Sequence, residues 1–170
     1  MARTARTMLG GLLAATLLAG CGFHLRSSQN FAFETVAVTP ENSGAVATEM
    51  TRYLGSAIRP LAPKAGEQAP QVIIDILEEQ RLKNVVSTSA SGQVREFQLR
   101  MNVRFRMRTP QGAELIAPTV ITQTRDISFN ESAVLAKEAE ETLLWRDMQS
   151  DVVQQLLRRI ASVKSLSPSP

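Results

Sequence analysis

The residues 97–108 alternate between apolar and polar side chains without a break. Because successive side chains of a strand point to opposite faces, this pattern predicts a β-strand with one face on a core and the other in a polar environment. The predicted strand spans the fifteen residues Val94 to Arg108, and would extend on the order of 50 Å, longer than a usual strand. Its apolar face carries Phe97, Leu99, Met101, Val103, Phe105 and Met107, and its basic face carries Arg100, Arg104, Arg106 and Arg108.

In the rest of the chain, the periodicity of apolar residues and the positions of Pro, Gly and Ser predict five further elements. A continuous helix from Asn130 to Leu166 is long for a small domain, so the alternative is a bend or a separate first-turn segment near Ala139 to Thr142. Pro118 predicts an edge position for the last strand, because proline cannot donate to a ladder. The predicted elements are strand one at 33–40, helix one at 44–61 with Ser43 as N-cap, strand two from Val72 with a Ser-rich connection at 87–93, strand four at 114–129 after a turn at 109–112, and helix two from Asn130.

This order, β-α-β-β-β-α, predicts an α/β (α+β) fold. We expect a two-layer sandwich in which two α-helices pack on one face of a four-stranded mixed β-sheet. In strand two, alternation places Val72, Ile74 and Ile76 on the helix-covered face and Asp75 and Glu79 on the other.

The N-terminus has the pattern of a secretory signal. Arg3 and Arg6 precede the uncharged run 8–20, which is shorter than the roughly 20 residues that span a bilayer. The sequence Leu18-Ala19-Gly20-Cys21 resembles the bacterial lipobox, which predicts diacylglycerol and an N-acyl chain such as palmitate on Cys21. Gly22, where an aspartate would signal retention, resembles an outer-membrane address. The alternative is an ordinary cleaved signal that leaves a free cysteine.

Composition argues against a nucleic-acid partner. The chain has 19 Lys and Arg against 16 Asp and Glu, and two of the arginines lie in the predicted signal. The mature protein would therefore carry 17 basic against 16 acidic residues, a net charge of +1. Such a balance gives no general electrostatic basis for binding nucleic acid.

The inventory of reactive side chains predicts that this is not an enzyme. With one histidine and one cysteine, no His/Cys metal cluster can form, and a serine nucleophile would have only His24 as its base. The chain has no Gly-rich phosphate loop. We interpret the carboxylates Glu78, Glu79, Glu138, Glu140 and Glu141 as solvated surface. No cofactor is expected beyond the acyl chains on Cys21.

Four short motifs resemble those of one known family. They are Cys21-Gly-Phe-His-Leu-Arg26, Gly92-Gln-x-x-Glu96-Phe-Gln98, Ala133-x-x-Ala-Lys137 and Leu157-Arg-Arg-Ile160. In this order and spacing they resemble the family of the LPS-assembly lipoprotein LptE. The resemblance implies a lipid-anchored protein of the outer membrane that faces the periplasm and sits in the lumen of the LptD β-barrel. Its implied role is to plug and help assemble LptD and to bind lipopolysaccharide during delivery to the outer leaflet.

The resemblance also suggests site residues. Lipopolysaccharide carries phosphates, which lysine and arginine recognise, so Lys137 in the family motif is the first candidate and Arg95 the second. The hairpin tip Ser89-Ala90-Ser91 lacks the basic residue that some relatives carry there. The basic face is a candidate for partner contact or, alternatively, a solvated face with cross-strand salt bridges; its arginines are Arg100, Arg104, Arg106 and Arg108.

The predicted organisation is a signal peptide at 1–20, a lipidated N-terminus and tether at 21–32, a single LptE-like domain at 33–165 and a disordered tail at 166–170. Two other function classes stay open. One is an accessory lipoprotein of another outer-membrane assembly or export complex, and the other is a lipid-anchored periplasmic enzyme.

Overall fold

A computed structural model describes residues 30–41 and 44–166 of the chain. The predicted order of elements and the two-layer architecture are confirmed. The signal peptide, Cys21, Ser43 and residues 167–170 lie outside the described residues. The elements are β1 (Val36–Thr39), α1 (Ala45–Leu54), β2 (Val72–Thr88), β3 (Val94–Arg108), β4 (Glu114–Ser128) and α2 (Val134–Ala161), with 3₁₀ turns at Gly55–Ala57 and Glu131–Ala133.

The four strands form one mixed sheet in the order β1-β2-β3-β4. β1 runs parallel to β2 and pairs only with its first residues, from Val72 to Asp75. The pairs β2–β3 and β3–β4 are antiparallel. Pro118 lies in edge strand β4, as predicted, at an interruption of the ladder between the pairs Phe105–Thr119 and Met107–Ile116.

The core lies between the sheet and the two helices, and β3 is its centre. Burying one large aliphatic or aromatic side chain stabilises a fold by about 1.5–3 kcal/mol, so a continuous apolar row determines which face of β3 the helices cover. Fully buried side chains come from all of these elements except β4: Val36 of β1, Val72 and Ile74 of β2, Leu99, Met101, Val103, Phe105 and Met107 of β3, Val46 and Met50 of α1, and Met148, Val152, Leu156 and Ile160 of α2.

The predicted face of Glu79 in β2 is wrong, because a β-bulge interrupts the strand. Ile76 pairs with Phe105, but the next pair is Glu78 with Arg104, so Leu77 is an extra residue. A bulge of one residue moves every later side chain to the opposite face from the one that simple alternation predicts. Glu79 consequently pairs with Val103 and lies on the helix-covered side.

This reversal gives Glu79 a role at the start of α1. Gly44 occupies the N-cap position and provides no side-chain cap. Instead, the Oε2 atom of Glu79 accepts a hydrogen bond from the backbone N–H of Val46 at 3.2 Å. A carboxylate at a helix N-terminus satisfies a free N–H group and complements the helix dipole.

The predicted extent of helix one was also wrong. α1 ends at Leu54 and does not reach Leu61, because Gly55 has φ = 52°, a left-handed conformation that stops the helix. After the 3₁₀ turn, Ile58 forms a β-bridge with Val36. Ile58, whose spacing in the sequence suggested a longer helix, therefore pairs with the sheet instead.

Helix two differs from its predicted extent at both ends. It begins at Val134, after the separate 3₁₀ turn Glu131–Ala133, and ends at Ala161. A single helix runs through Ala139–Thr142, so no separate first-turn segment forms at that position. The separate turn is explained by Asn130, whose side-chain oxygen accepts a hydrogen bond from the backbone N–H of Ser132 at 3.0 Å.

The sheet has two distinct ends. The near end holds the start of β1, where Phe31 stacks on buried Phe33 with ring centroids 5.0 Å apart. The far end holds the β2–β3 turn at 89–93 and the end of β4, from which the chain enters α2. The fifteen residues of β3 place these ends roughly 50 Å apart.

Candidate functional site

A cavity of about 240 Å³ lies at the far end, between the first turns of α2 and the sheet. Apolar side chains from β3, β4 and α2 form part of its wall, and two lysines, two glutamates and one serine form the rest. The cavity is therefore amphipathic. Its lining residues are Lys83, Phe97, Ile127, Ser128, Phe129, Val134, Lys137, Glu138 and Glu141.

Lys137, the first sequence candidate, lines this cavity. Its Nζ atom donates to the Oγ atom of Ser128 at 2.9 Å and to the Oε2 atom of Glu140 at 2.8 Å. The side chain is 22% exposed, so the ammonium group is held between β4 and α2 but remains reachable from solvent.

Arg95, the second candidate, lies at the same end but does not line the cavity. Its carbonyl oxygen accepts a hydrogen bond from the backbone N–H of Phe129 at 2.8 Å, which joins the start of β3 to the residue that follows β4. The Arg95 residue is exposed. The structure thus brings the two candidates to one end and only Lys137 into the cavity.

Lys83 is a cavity residue that the sequence analysis missed. Its Nζ atom lies 2.6 Å from the Oε2 atom of Glu141 and 4.3 Å from the centroid of the Phe97 ring. Glu141 also accepts a hydrogen bond from the indole N–H of Trp145 at 3.2 Å, so the interpretation of Glu141 as solvated surface was wrong. Alternation counted from Asp75 would put Lys83 on the open face, and only the bulge at Leu77 turns it toward α2.

The other candidate surface is the open face, meaning the side of the sheet that the helices leave uncovered. At the near end of this face Asp75, which is only 6% exposed, accepts three short hydrogen bonds. The donors are the Oγ1 atom of Thr39 at 2.7 Å, the Nε atom of Arg106 at 2.7 Å and the Nε atom of Arg108 at 2.8 Å. Asp75 thus ties β1, β2 and β3 together.

These contacts control the ionisation of Asp75. Burial alone would raise its pKa, but the hydrogen bonds from Arg108, Thr39 and Arg106 outweigh burial and lower the pKa from 3.8 to about 2. The carboxylate is therefore charged under all ordinary conditions and compensates part of the positive charge of the two arginines.

The two remaining arginines of the open face differ from each other. The Nε atom of Arg104 lies 3.3 Å from the Oε2 atom of Glu78, and both side chains are almost half exposed. Arg100 donates to the Oε1 atom of Gln98 at 3.1 Å and has no carboxylate partner among the described residues, and its buried Nε atom has no hydrogen-bond partner there. Three of the four arginines are thus ion-paired within the sheet, and Arg100 is available to a partner.

Within the described residues, no group of three or more His, Cys, Asp or Glu side chains is arranged to hold a metal ion. None of the described helices is long and apolar enough to cross a membrane.

Comparison with known proteins identifies the family. The family model LptE, described as lipopolysaccharide-assembly, matches residues 33–160. The chain belongs to the LptE family. It is 27% identical over 154 residues to the LPS-assembly lipoprotein LptE of Pectobacterium atrosepticum, covering 89% of this chain and 82% of that protein. It is 26% identical over 160 residues to that of Photorhabdus laumondii, covering 92% and 85%.

Solved structures share the fold. The NMR structure of lipoprotein B from Nitrosomonas europaea has 36% identity and a TM-score of 0.68, covering 83% of this chain and 91% of that one. A minor lipoprotein from Acinetobacter baumannii has 19% identity and a TM-score of 0.63, covering 83% and 100%, and it supports the fold alone. The chain is therefore an LptE-family lipoprotein involved in lipopolysaccharide assembly, a role consistent with the outer membrane of Gram-negative bacteria.

The Asp75 contacts predict how stability depends on pH. Because the pKa of Asp75 is lowered on folding, its contribution is fully present above pH 3.8 and is lost as the pH falls through about 2. The contribution is about 2 kcal/mol. Between pH 5 and pH 2 the unfolding free energy of the wild-type protein should fall by this amount on account of Asp75. In Asp75→Asn this contribution to the fall should be absent, as measured by urea unfolding at each pH. The control is Asp151→Asn, which removes a half-exposed ion pair with Arg125 and should leave the pH dependence nearly unchanged.

Proposed function

We propose that this LptE-family lipoprotein is anchored in the outer membrane through acyl chains on Cys21, and that it plugs and helps assemble the LptD β-barrel. We further propose that it binds lipopolysaccharide during delivery to the outer leaflet. The main observation in support of the proposal is that the domain has two distinct candidate contact surfaces. One is the polar open face of the sheet, and the other is the amphipathic cavity on the helix side.

The open face has the chemistry of a surface that lies in a polar lumen. Beyond the Asp75 cluster many of its side chains are polar or charged, and several bond across strands. The Oγ1 atom of Thr122 donates to the Oδ1 atom of Asn102 at 2.9 Å, and the Nε2 atom of Gln98 donates to the Oδ1 atom of Asp126 at 3.1 Å. The interior of a large outer-membrane barrel is polar, so such a face can contact its wall without burying unpaired groups.

Arg100 gives the open face one cation for a partner. In the sheet, Arg100 lies directly opposite exposed Leu82 of β2 and Thr124 of β4. A guanidinium without a carboxylate of its own favours a carboxylate from a second molecule, which it can bind in bidentate fashion. We assign Arg100 to contact with the barrel, and Arg104, Arg106 and Arg108 mainly to cross-strand stabilisation of the same face.

The cavity has the chemistry of a lipopolysaccharide site. Lipopolysaccharide presents phosphates next to acyl chains, and the cavity presents Lys137 next to Phe97, Ile127 and Val134. Sites for whole drug-sized ligands measure roughly 300–1,000 Å³, and this cavity measures about 240 Å³. It therefore accommodates part of the molecule, a phosphate with the beginning of an acyl chain. Arg95 can add positive charge at the rim.

The position of the cavity suits delivery away from the anchor. The first described residues lie at the near end of the sheet, and the cavity lies at the far end. With β3 extending roughly 50 Å between them, an anchored domain would hold its ligand site well beyond the membrane surface that holds its N-terminus.

Purification of the full-length lipoprotein from detergent-solubilised outer membrane tests the plug. We expect a β-barrel protein to be recovered in equal amount, and Arg100→Glu to reduce its recovery because the reversed charge faces the barrel wall. The control Arg52→Glu changes an exposed arginine of α1, on the opposite layer. Recovery of the wild-type lipoprotein alone would contradict the plug, and recovery with a different assembly or export complex would favour the accessory-lipoprotein alternative.

A charge reversal at Lys137 tests the cavity. Lys137→Asp should weaken lipopolysaccharide binding by about tenfold or more, since a charge-assisted hydrogen bond contributes about 1.5–3 kcal/mol, and it should leave barrel association intact. The measurement is a binding isotherm with purified lipopolysaccharide. Lys64→Asp, at an exposed lysine of the loop before β2, is the matched control, and Arg95→Asp should have a smaller effect than Lys137→Asp. Unchanged binding by Lys137→Asp would remove Lys137 from the site.

A further inference from the structure

Two lysines from different elements face the same cavity, and each is already paired with a glutamate of α2. Lys83 of β2 lies 2.6 Å from Glu141, and Lys137 lies 2.8 Å from Glu140. Consecutive residues of a helix point about 100° apart, which allows the two neighbouring carboxylates to reach two different lysines. In the ligand-free protein the cations of the cavity are therefore neutralised from within.

We propose that Lys83 is a second phosphate-binding residue of this cavity, and that Glu140 and Glu141 are internal competitors that a lipid-borne phosphate displaces from the two lysines. The inference rests on the proposed binding of lipopolysaccharide and adds to it a residue and a control mechanism. A phosphate monoester carries a charge of about −1.5 to −2 and three acceptor oxygens. A carboxylate has one negative charge and two oxygens, so the phosphate is the stronger partner for a pair of ammonium groups.

The surroundings of Lys83 allow this exchange at little cost. Its side chain is 38% exposed, and an ion pair that solvent reaches contributes little to stability. Contact with the Phe97 ring, 4.3 Å from Nζ, is a cation–π interaction that keeps the ammonium group at the cavity when the carboxylate leaves. Glu141 retains its hydrogen bond from Trp145 after it releases Lys83. Each partner thus keeps a second contact.

The apolar wall distinguishes a lipid-borne phosphate from free phosphate. Phe97 and Phe129 meet edge to face with centroids 5.4 Å apart, and both line the cavity with Ile127 and Val134. Inorganic phosphate would leave this wall in contact with water, whereas an acyl chain attached to the same headgroup would cover it. We therefore assign the cavity to a phosphate that carries acyl chains.

The test measures the affinity of the full-length lipoprotein in detergent for lipopolysaccharide and for dephosphorylated lipopolysaccharide. Lys83→Gln should weaken binding of the phosphorylated form about tenfold, the loss of one charge-assisted hydrogen bond, and leave the dephosphorylated form unaffected. Glu141→Gln should strengthen binding of the phosphorylated form several-fold, because the amide can still accept from Trp145 but no longer neutralises Lys83. Lys64→Gln and Glu67→Gln, in an exposed loop at the near end, are the matched controls.

The outcomes separate this inference from the proposed function. If the wild-type protein does not bind lipopolysaccharide, the proposed function fails. If it binds and Lys137→Asp weakens it, while Lys83→Gln and Glu141→Gln bind like the wild type, only the inference is overturned. An equal loss for the dephosphorylated form would overturn the phosphate role of Lys83, and competition by millimolar inorganic phosphate alone would overturn the lipid assignment.

Discussion

The strict alternation along β3 is the constraint on which both candidate surfaces depend. Five side chains from Leu99 to Met107 are fully buried against the helices, and a register slip of one residue would place the arginines between them in the core. Burying an unpaired guanidinium costs far more than such a slip could recover. The packing of the apolar face therefore determines which side chains lie on the other face. Arg100 and Arg104 lie on the open face because the apolar residues between them are buried in the core.

The bulge at Leu77 then divides the helix-covered side into two parts. Before it, Ile74 is buried in the core, and after it Glu79 and Lys83 turn toward the helices. Glu79 caps α1, and Lys83 reaches α2 through Glu141. One inserted residue thus changes an apolar layer at the near end into a polar, partly open layer at the far end. The cavity lies where this polar part meets the core, since its wall includes Lys83 of β2 together with the core residue Ile127 and with Phe97, which packs against the core.

Sequence patterns predicted the fold well where alternation or helical spacing was continuous. The bounds of β3 were predicted from its pattern, and Lys137 came from the family resemblance. The bulge was not predictable, because residues 78–81 of β2 are polar on both faces and alternation there carries no information. The pair formed by Lys83 and Glu141 joins residues 58 positions apart, and only the folded register brings them together. The end of α1 at the C-cap residue Gly55 was missed because Ile58 has helical spacing in the sequence but forms a long-range β-bridge with Val36.

The central claim is that the two faces of one sheet contact different molecules, and site-specific photo-crosslinking in cells tests it most directly. A photoreactive residue would replace Thr122, which is exposed on the open face, or Val134, which lines the cavity. The account predicts that position 122 crosslinks to the barrel protein and that position 134 crosslinks to lipopolysaccharide. Crosslinking of position 122 to lipopolysaccharide, or of position 134 to the barrel protein alone, would contradict it.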